Sequence, residues 1–99
     1  MKILFICRGN VARSQMAEAI YNKLTDSDCA DSAGTRVEFP GESLGDRKKR
    51  IGKSYVVDVM NNNGFNFDNR KQKQLTKEML GNYNLVVNMA AKRYTPKWL

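Results

Sequence analysis

Ile3-Leu4-Phe5-Ile6-Cys7-Arg8-Gly9-Asn10-Val11-Ala12-Arg13-Ser14 decides the fold of this chain. Ile3 to Ile6 is an unbroken apolar run, the pattern of a strand buried on both faces in a parallel sheet. From Ala12 to Leu24 the period changes. Ala12, Met16, Ala17, Ile20, Tyr21 and Leu24 recur at helical spacing, with Gln15, Glu18, Asn22 and Lys23 assigned to the outer face. The chain therefore begins strand, tight loop, helix.

Outward from that unit the alternation continues. Asp26 to Asp31 reads as a polar turn, and Cys29-Ala30 with Ser32-Ala33-Gly34-Thr35 as a weak strand and loop. Arg36 to Arg50 holds Pro40, Gly41 and Gly45 without periodicity and reads as a long surface loop. Ile51, Tyr55, Val56, Val59 and Met60 mark a second amphipathic helix, ended by Asn61-Asn62-Asn63-Gly64. Phe65 and Phe67 turn back to the core. Thr76 caps a short helix through Leu80, and Leu85-Val86-Val87-Asn88-Met89 is the second strong strand. This order predicts an α/β fold, an open parallel sheet with flanking helices and one phosphate-binding loop after the first strand.

Composition narrows the chemistry. Ninety-nine residues, 41% of them apolar, make one domain with one modest core. The net charge of +7 favours anionic partners. It is uneven, +2 over residues 1–50 and +5 over residues 51–99. The clusters Arg47-Lys48-Lys49-Arg50 and Arg70-Lys71-Gln72-Lys73 read as a solvated loop and a solvated helix face, because no aromatic platform or recognition motif for nucleic acid accompanies them. The absence of histidine removes His-based general-base catalysis and His-ligated metals. Two cysteines form neither a zinc site nor a disulfide framework, so no metal and no cofactor are expected, and a reducing cytoplasm is the default. The run Ile3 to Ile6 is too short for a secretion signal, and none approaches a membrane span.

Ligands of open α/β sheets bind at the carboxyl ends of strands. There the backbone N–H groups of Arg8, Gly9, Asn10, Val11, Ala12 and Arg13, with the helix N-terminus, are expected to cradle an oxyanion. The Arg13 guanidinium fits two phosphate oxygens at once. Cys7 at the floor sits in a field that favours thiolate over thiol, and a thiolate facing a phosphoryl group is an in-line nucleophile. Ser14 can donate its hydroxyl to that sulfur. Asn10 tolerates an unusual backbone angle and ties the loop together. Cys29 has no cation or glycine loop near it and reads as a buried structural thiol.

Cys7, Gly9, Asn10, Arg13 and Ser14, followed by Ser32-Ala33-Gly34-Thr35, resemble the signature of the low-molecular-weight protein-tyrosine phosphatase family. Lys73 to Glu78 and Tyr83 to Met89 look like its later helix and strand, so the resemblance runs from Lys2 to about Ala91. It implies a cysteine-dependent phosphatase working through a cysteinyl-phosphate on phosphorylated protein or a small phosphate ester. Phosphate, sulfate and arsenate would bind, and Ser32 would support the loop with Asn10. Several positions depart from the family. Gln15 stands where the phosphatases usually have proline, and Arg13-Ser14-Gln15-Met16-Ala17-Glu18 resembles the thioredoxin-coupled arsenate reductases. Ala12 replaces the second loop cysteine, and Arg70 stands at about the place of a supporting histidine. Phe39 or Glu38 occupies the position of the mouth aromatic. Members run past Leu99 to an Asp-Pro general acid. The chain is thus expected to be a single, C-terminally incomplete phosphatase-like domain, weak in turnover and able to self-associate through an exposed sheet edge. The alternatives implied are an arsenate reductase served by an external thiol, and a phosphoryl-binding module without turnover.

Overall fold

The computed structural model describes residues 1–99. Three parallel strands, β1 (Ile3–Cys7), β2 (Ala30–Gly34) and β3 (Leu85–Asn88), lie in the order β2-β1-β3. Helices α1 (Arg13–Leu24), α2 (Leu44–Ile51) and α3 (Tyr55–Asn62) flank the sheet, with 3-10 stretches at Lys77–Asn82 and Lys92–Tyr94. The expected open parallel sheet is present, and its first strand is central. Ile3 pairs with Ala30 on one side and Leu85 on the other, and Cys7 ends opposite Gly34.

The unbroken apolar run suits that central place because both faces of β1 are covered. Leu4 and Ile6 pack with Ala33 and Leu75 on one face. Phe5 points the other way, its ring 6.1 Å from that of Tyr21 in α1. Burying Leu4 and Ile6 contributes roughly 1.5–3 kcal/mol each, which anchors the strand whose last residue is Cys7. A second cluster joins α1, α2 and α3 through Ala19, Leu44, Val57, Met60 and Phe67. The third strand lies at the sheet edge, and Leu85 on it is exposed.

Four sequence expectations need correction. The inward face of α1 is rotated: Ser14, Gln15, Glu18 and Ala19 are buried, whereas Ile20 and Leu24 are exposed. Gln15 and Glu18 can be buried because each polar head finds partners. The segment Arg36 to Arg50 is not all loop, since α2 begins at Leu44. Ser43 caps it by accepting from the Asp46 N–H at 3.0 Å, and its basic last turn suits the negative end of the helix dipole. Gly52, at φ 94°, breaks the chain between α2 and α3, so Ile51 ends one helix rather than starting the next. Finally, Arg70 to Lys73 is not a helix face. It is extended chain stitched to residues 34–45, with Leu44 N–H donating to Arg70 O and Gly34 N–H to Lys73 O, both at 2.8 Å.

Tyr83 ties the segment before β3 to β2 by donating its hydroxyl to Asp31 Oδ2 at 2.8 Å. Burial, and then the hydrogen bond to the Asp31 carboxylate, push its phenol up from 10.0 to about 12. A raised folded-state value means that the folded chain keeps a proton the unfolded chain loses. The contribution to stability is whole below pH 10 and is lost as pH rises toward 12. An ultraviolet absorbance titration of wild type minus Tyr83→Phe should therefore show a phenolate step near pH 12. A step centred at 10 would contradict the packing described.

Candidate active site

Cys7 ends β1 with its side chain buried. Its Sγ accepts the Asn10 backbone N–H at 3.3 Å and lies 2.9 Å from Ser14 Oγ. Ser14 Oγ also accepts from Asn10 Nδ2 at 2.8 Å. An amide nitrogen can only donate, so the single hydroxyl proton of Ser14 is free to point at the sulfur. The sulfur thus receives two donors, one from backbone and one from side chain.

Asn10 organises the turn. Its φ of 54° is the left-handed conformation that asparagine tolerates better than other non-glycine residues. Its Nδ2 donates to Ser14 and, at 3.0 Å, to Ser32 Oγ. Its Oδ1 accepts from the Lys73 N–H at 2.8 Å and from Gln15 Nε2 at 3.0 Å. Every donor and acceptor of the buried amide head is used, which fixes its rotamer and the turn with it.

Behind Asn10 lies a charged layer. Ser32 accepts from Asn10 and donates to Glu18 Oε1 at 2.8 Å. Glu18 is nearly buried between two cations, Arg70 through Nη2 and Lys73 at 3.4 Å. Arg70 Nε also donates to Gln15 Oε1 at 2.9 Å, and Gln15 Nε2 reaches back to the carbonyls of Asn10 and Lys71. The cluster Arg70 to Lys73 was expected to be solvated; its two outer cations instead brace the loop. Sequence reading missed Gln15, Glu18 and Lys73 as site residues and had Arg70 only as standing at about the place of a supporting histidine. The available signal was matched spacing: Gln15 and Glu18 are three apart, as are Arg70 and Lys73, so one pair can face the other.

Of the loop amides, only Asn10 N–H has a partner. Those of Arg8, Gly9, Val11, Ala12, Arg13 and Ser14 donate to nothing within the chain. Ala12, at the N-cap of α1, supplies no side-chain cap, and the first turn carries no acidic residue. The positive end of the helix is therefore uncompensated from within. Arg13 is exposed and donates from Nη1 to Met89 O, at the end of β3, at 2.9 Å. One nitrogen anchors the guanidinium across the strand ends, and its other donors remain free. The loop also has no slack: a Cβ on Gly34 would stand 2.7 Å from Arg8 O and 2.9 Å from the Asn10 nitrogen.

A cavity of about 580 Å³ opens against Arg8, Gly9 and Val11 and is lined also by Arg36, Glu38 and Arg47. Glu38 lines it, whereas the Phe39 ring lies under Arg50, 4.1 Å from its guanidinium carbon. Cys29 was expected to be buried and is partly exposed. The sequence motif thus comes together around Cys7, Asn10, Ser14 and Ser32, and Cys29 stays outside it.

A parallel sheet whose central strand ends in a cysteine, wrapped by unpaired amides at a helix start, defines an open α/β domain with its candidate site at the strand end. The family model described as low molecular weight phosphotyrosine protein phosphatase matches residues 2–96, and the chain belongs to that family. It is 28% identical over 94 residues to the low molecular weight protein-tyrosine-phosphatase YfkJ of Bacillus subtilis (strain 168), covering 92% of this chain and 57% of that one. Wzb of Vibrio vulnificus, solved in complex with benzylphosphonate, is 26% identical with a TM-score of 0.71, over 89% of this chain and 57% of Wzb. A mutant of the arginine phosphatase YwlE, solved with a phosphorylated active-site serine, is 25% identical with a TM-score of 0.70, over 95% of this chain and 57% of YwlE. The chain spans little more than half the length of these relatives.

Removing Arg70 tests the brace. Arg70→Met leaves Gln15 Oε1 unpaired and Glu18 with Lys73 as its one remaining cation, so stability in urea should fall by about 2 kcal/mol. Arg70→Lys should recover little of it, because an ammonium cannot span both acceptors as the guanidinium does. A loss within about 0.5 kcal/mol for Arg70→Met, or full recovery with lysine, would remove Arg70 from the account.

Proposed function

We propose that the chain carries the nucleophile and the phosphate-binding loop of a phosphatase acting on phosphotyrosine-type monoesters. The observation that supports this most is the surround of Cys7. Its sulfur accepts from Asn10 N–H and has the Ser14 hydroxyl at 2.9 Å, inside a loop whose remaining amides are unbonded.

In the proposed reaction, the phosphoryl oxygens take the amides of Arg8, Gly9, Val11, Ala12 and Arg13 and the free donors of the Arg13 guanidinium. Cys7 Sγ attacks phosphorus from below. The S–P bond forms as the P–O bond to the leaving group breaks, and the leaving oxygen departs as an anion or takes a proton from water. Charge building on the equatorial oxygens is met by donors already in place. The Ser14 hydroxyl stabilises negative sulfur, both as attacking group and as leaving group when water cleaves the S–P bond. That second step releases inorganic phosphate and returns Cys7. Self-association would occur along the edge strand β3, where Leu85 is exposed. Two cysteines, both unbridged, agree with a reducing cytoplasm.

None of the six aspartates is assigned the acid role. Asp31 accepts from Tyr83, Asp58 from Lys48 and Asp68 from Asn61, while Asp26 and Asp28 lie after α1 and Asp46 in α2. Hydrolysis by these 99 residues should therefore be weak and steeply dependent on leaving-group pKa, since general-acid help is worth about 10²–10⁴-fold. The expected result is measurable release of p-nitrophenolate, almost none from alkyl phosphates, and loss of all release in Cys7→Ser. Release unchanged in Cys7→Ser would refute the nucleophile. Phosphate binding without any aryl phosphate hydrolysis would leave a binding module instead, and arsenate reduction with a thiol donor would favour the reductase.

A further inference from the structure

Binding one phosphoryl group does not account for the recess beside the loop. Four arginines line it, Arg8, Arg36, Arg47 and Arg50, against one carboxylate, Glu38. Arg50 is already committed. It donates to both oxygens of Glu42 at 2.9 Å, and that hydrogen bond is the main cause that holds the Glu42 carboxyl below its usual value. Arg8, Arg36 and Arg47 pair with no carboxylate, and Glu38 pairs with no cation.

The two arginines nearest the strand end are held in place. The Arg8 guanidinium carbon lies 4.0 Å from the Tyr94 ring centroid and that of Arg36 lies 5.2 Å from it. Arg36 N–H also donates to Arg8 O at 2.8 Å, which fixes the two backbones side by side. Stacking on a ring occupies the faces of a guanidinium and leaves its N–H edges to donate. Three unpaired like charges lining one recess repel one another, and an anion entering it relieves that repulsion. A neutral ring or chain would gain little there, because Val11 is the single apolar residue of the lining.

We propose that this recess is a second anion subsite, and that the substrate is a phosphorylated peptide with a further negative group beside the phosphorylated residue. That group is a carboxylate or a second phosphate, the shared chemistry being an oxyanion that takes guanidinium N–H donors. The inference rests on the cradle at Cys7 holding the first phosphoryl group, and it adds which substrates bind best. The recess is a concave pocket rather than a stripe, so it suits one side chain better than a nucleic-acid backbone.

The test uses the whole chain carrying Cys7→Ser, so that substrates bind without turnover. Calorimetry measures phosphotyrosine peptides flanked by Glu, Ala or Lys, a doubly phosphorylated peptide, inorganic phosphate and a short single-stranded oligonucleotide. The Glu peptide should bind about tenfold tighter than the Ala peptide, the size of one charge-assisted contact. The Lys peptide should be weaker still, the doubly phosphorylated peptide at least as tight as the Glu peptide, and the differences should shrink with added salt. In Arg36→Ala/Arg47→Ala, and equally in Arg36→Gln/Arg47→Gln, the Glu-to-Ala ratio should fall to about one. Equal affinities for the three flanked peptides, with inorganic phosphate still bound, would overturn the subsite and leave the cradle standing. An oligonucleotide binding as tightly as the Glu peptide would overturn it in favour of a nucleic-acid ligand. Failure of inorganic phosphate and every peptide to bind would bring down the cradle, and the subsite with it.

Discussion

The side-chain amide of Asn10 is the constraint on which the site depends. A left-handed residue in a tight loop costs free energy unless the surrounding structure holds it. Here four hydrogen bonds hold it, reaching α1 through Ser14 and Gln15, β2 through Ser32, and residues 70–75 through the Lys73 amide. The same turn aims the Asn10 backbone N–H at the Cys7 sulfur and leaves its neighbours' amides without internal partners. Satisfying one buried side chain completely is what allows several backbone donors to stay unsatisfied at the surface.

The brace behind Asn10 joins side chains of α1 to those of residues 70–73. Gln15 and Arg70 are hydrogen-bonded to each other, and each also contacts the rest of the network. A proline at position 15 would offer no acceptor to the Arg70 Nε. The charge of Arg70 is matched by Glu18, whose other oxygen is shared by Ser32 and Lys73. A buried carboxylate is tolerable because it has both cations and a hydroxyl around it.

Much of this was legible in the sequence, for physical reasons that differ by region. The run Ile3 to Ile6 could only be a doubly covered strand, and Cys7, Gly9, Asn10, Arg13 and Ser14 at its end could be read because loop chemistry is local. The buried face of α1 was misread because periodicity scores apolarity. Gln15 and Glu18 face inward on account of partners more than fifty residues away, while Ile20 and Leu24 stay exposed. Helix α2 escaped notice because Leu44 is its one buried residue and five of its eight positions are charged neighbours in a row, Asp46 to Arg50, without an apolar stripe. Its Ser43 cap and Gly52 stop were there to be read. The roles of Arg70 and Lys73 depend on the long-range pairing of residues 70–75 with residues 34–45, and their matched spacing with Gln15 and Glu18 becomes meaningful only once that pairing is known.

The central claim is that Asn10 shapes the loop so that its free amides hold an oxyanion over Cys7. The most direct measurement is an amide NMR titration with inorganic phosphate, on the wild-type chain and on Asn10→Ala. Shifts in the wild type should concentrate at residues 8–14, and in Asn10→Ala the affinity should fall by at least about tenfold, with the β1 and α3 amides unchanged in dispersion. Shifts spread over the basic face of α2 with none in the loop, or an unchanged affinity in a folded Asn10→Ala, would contradict the account.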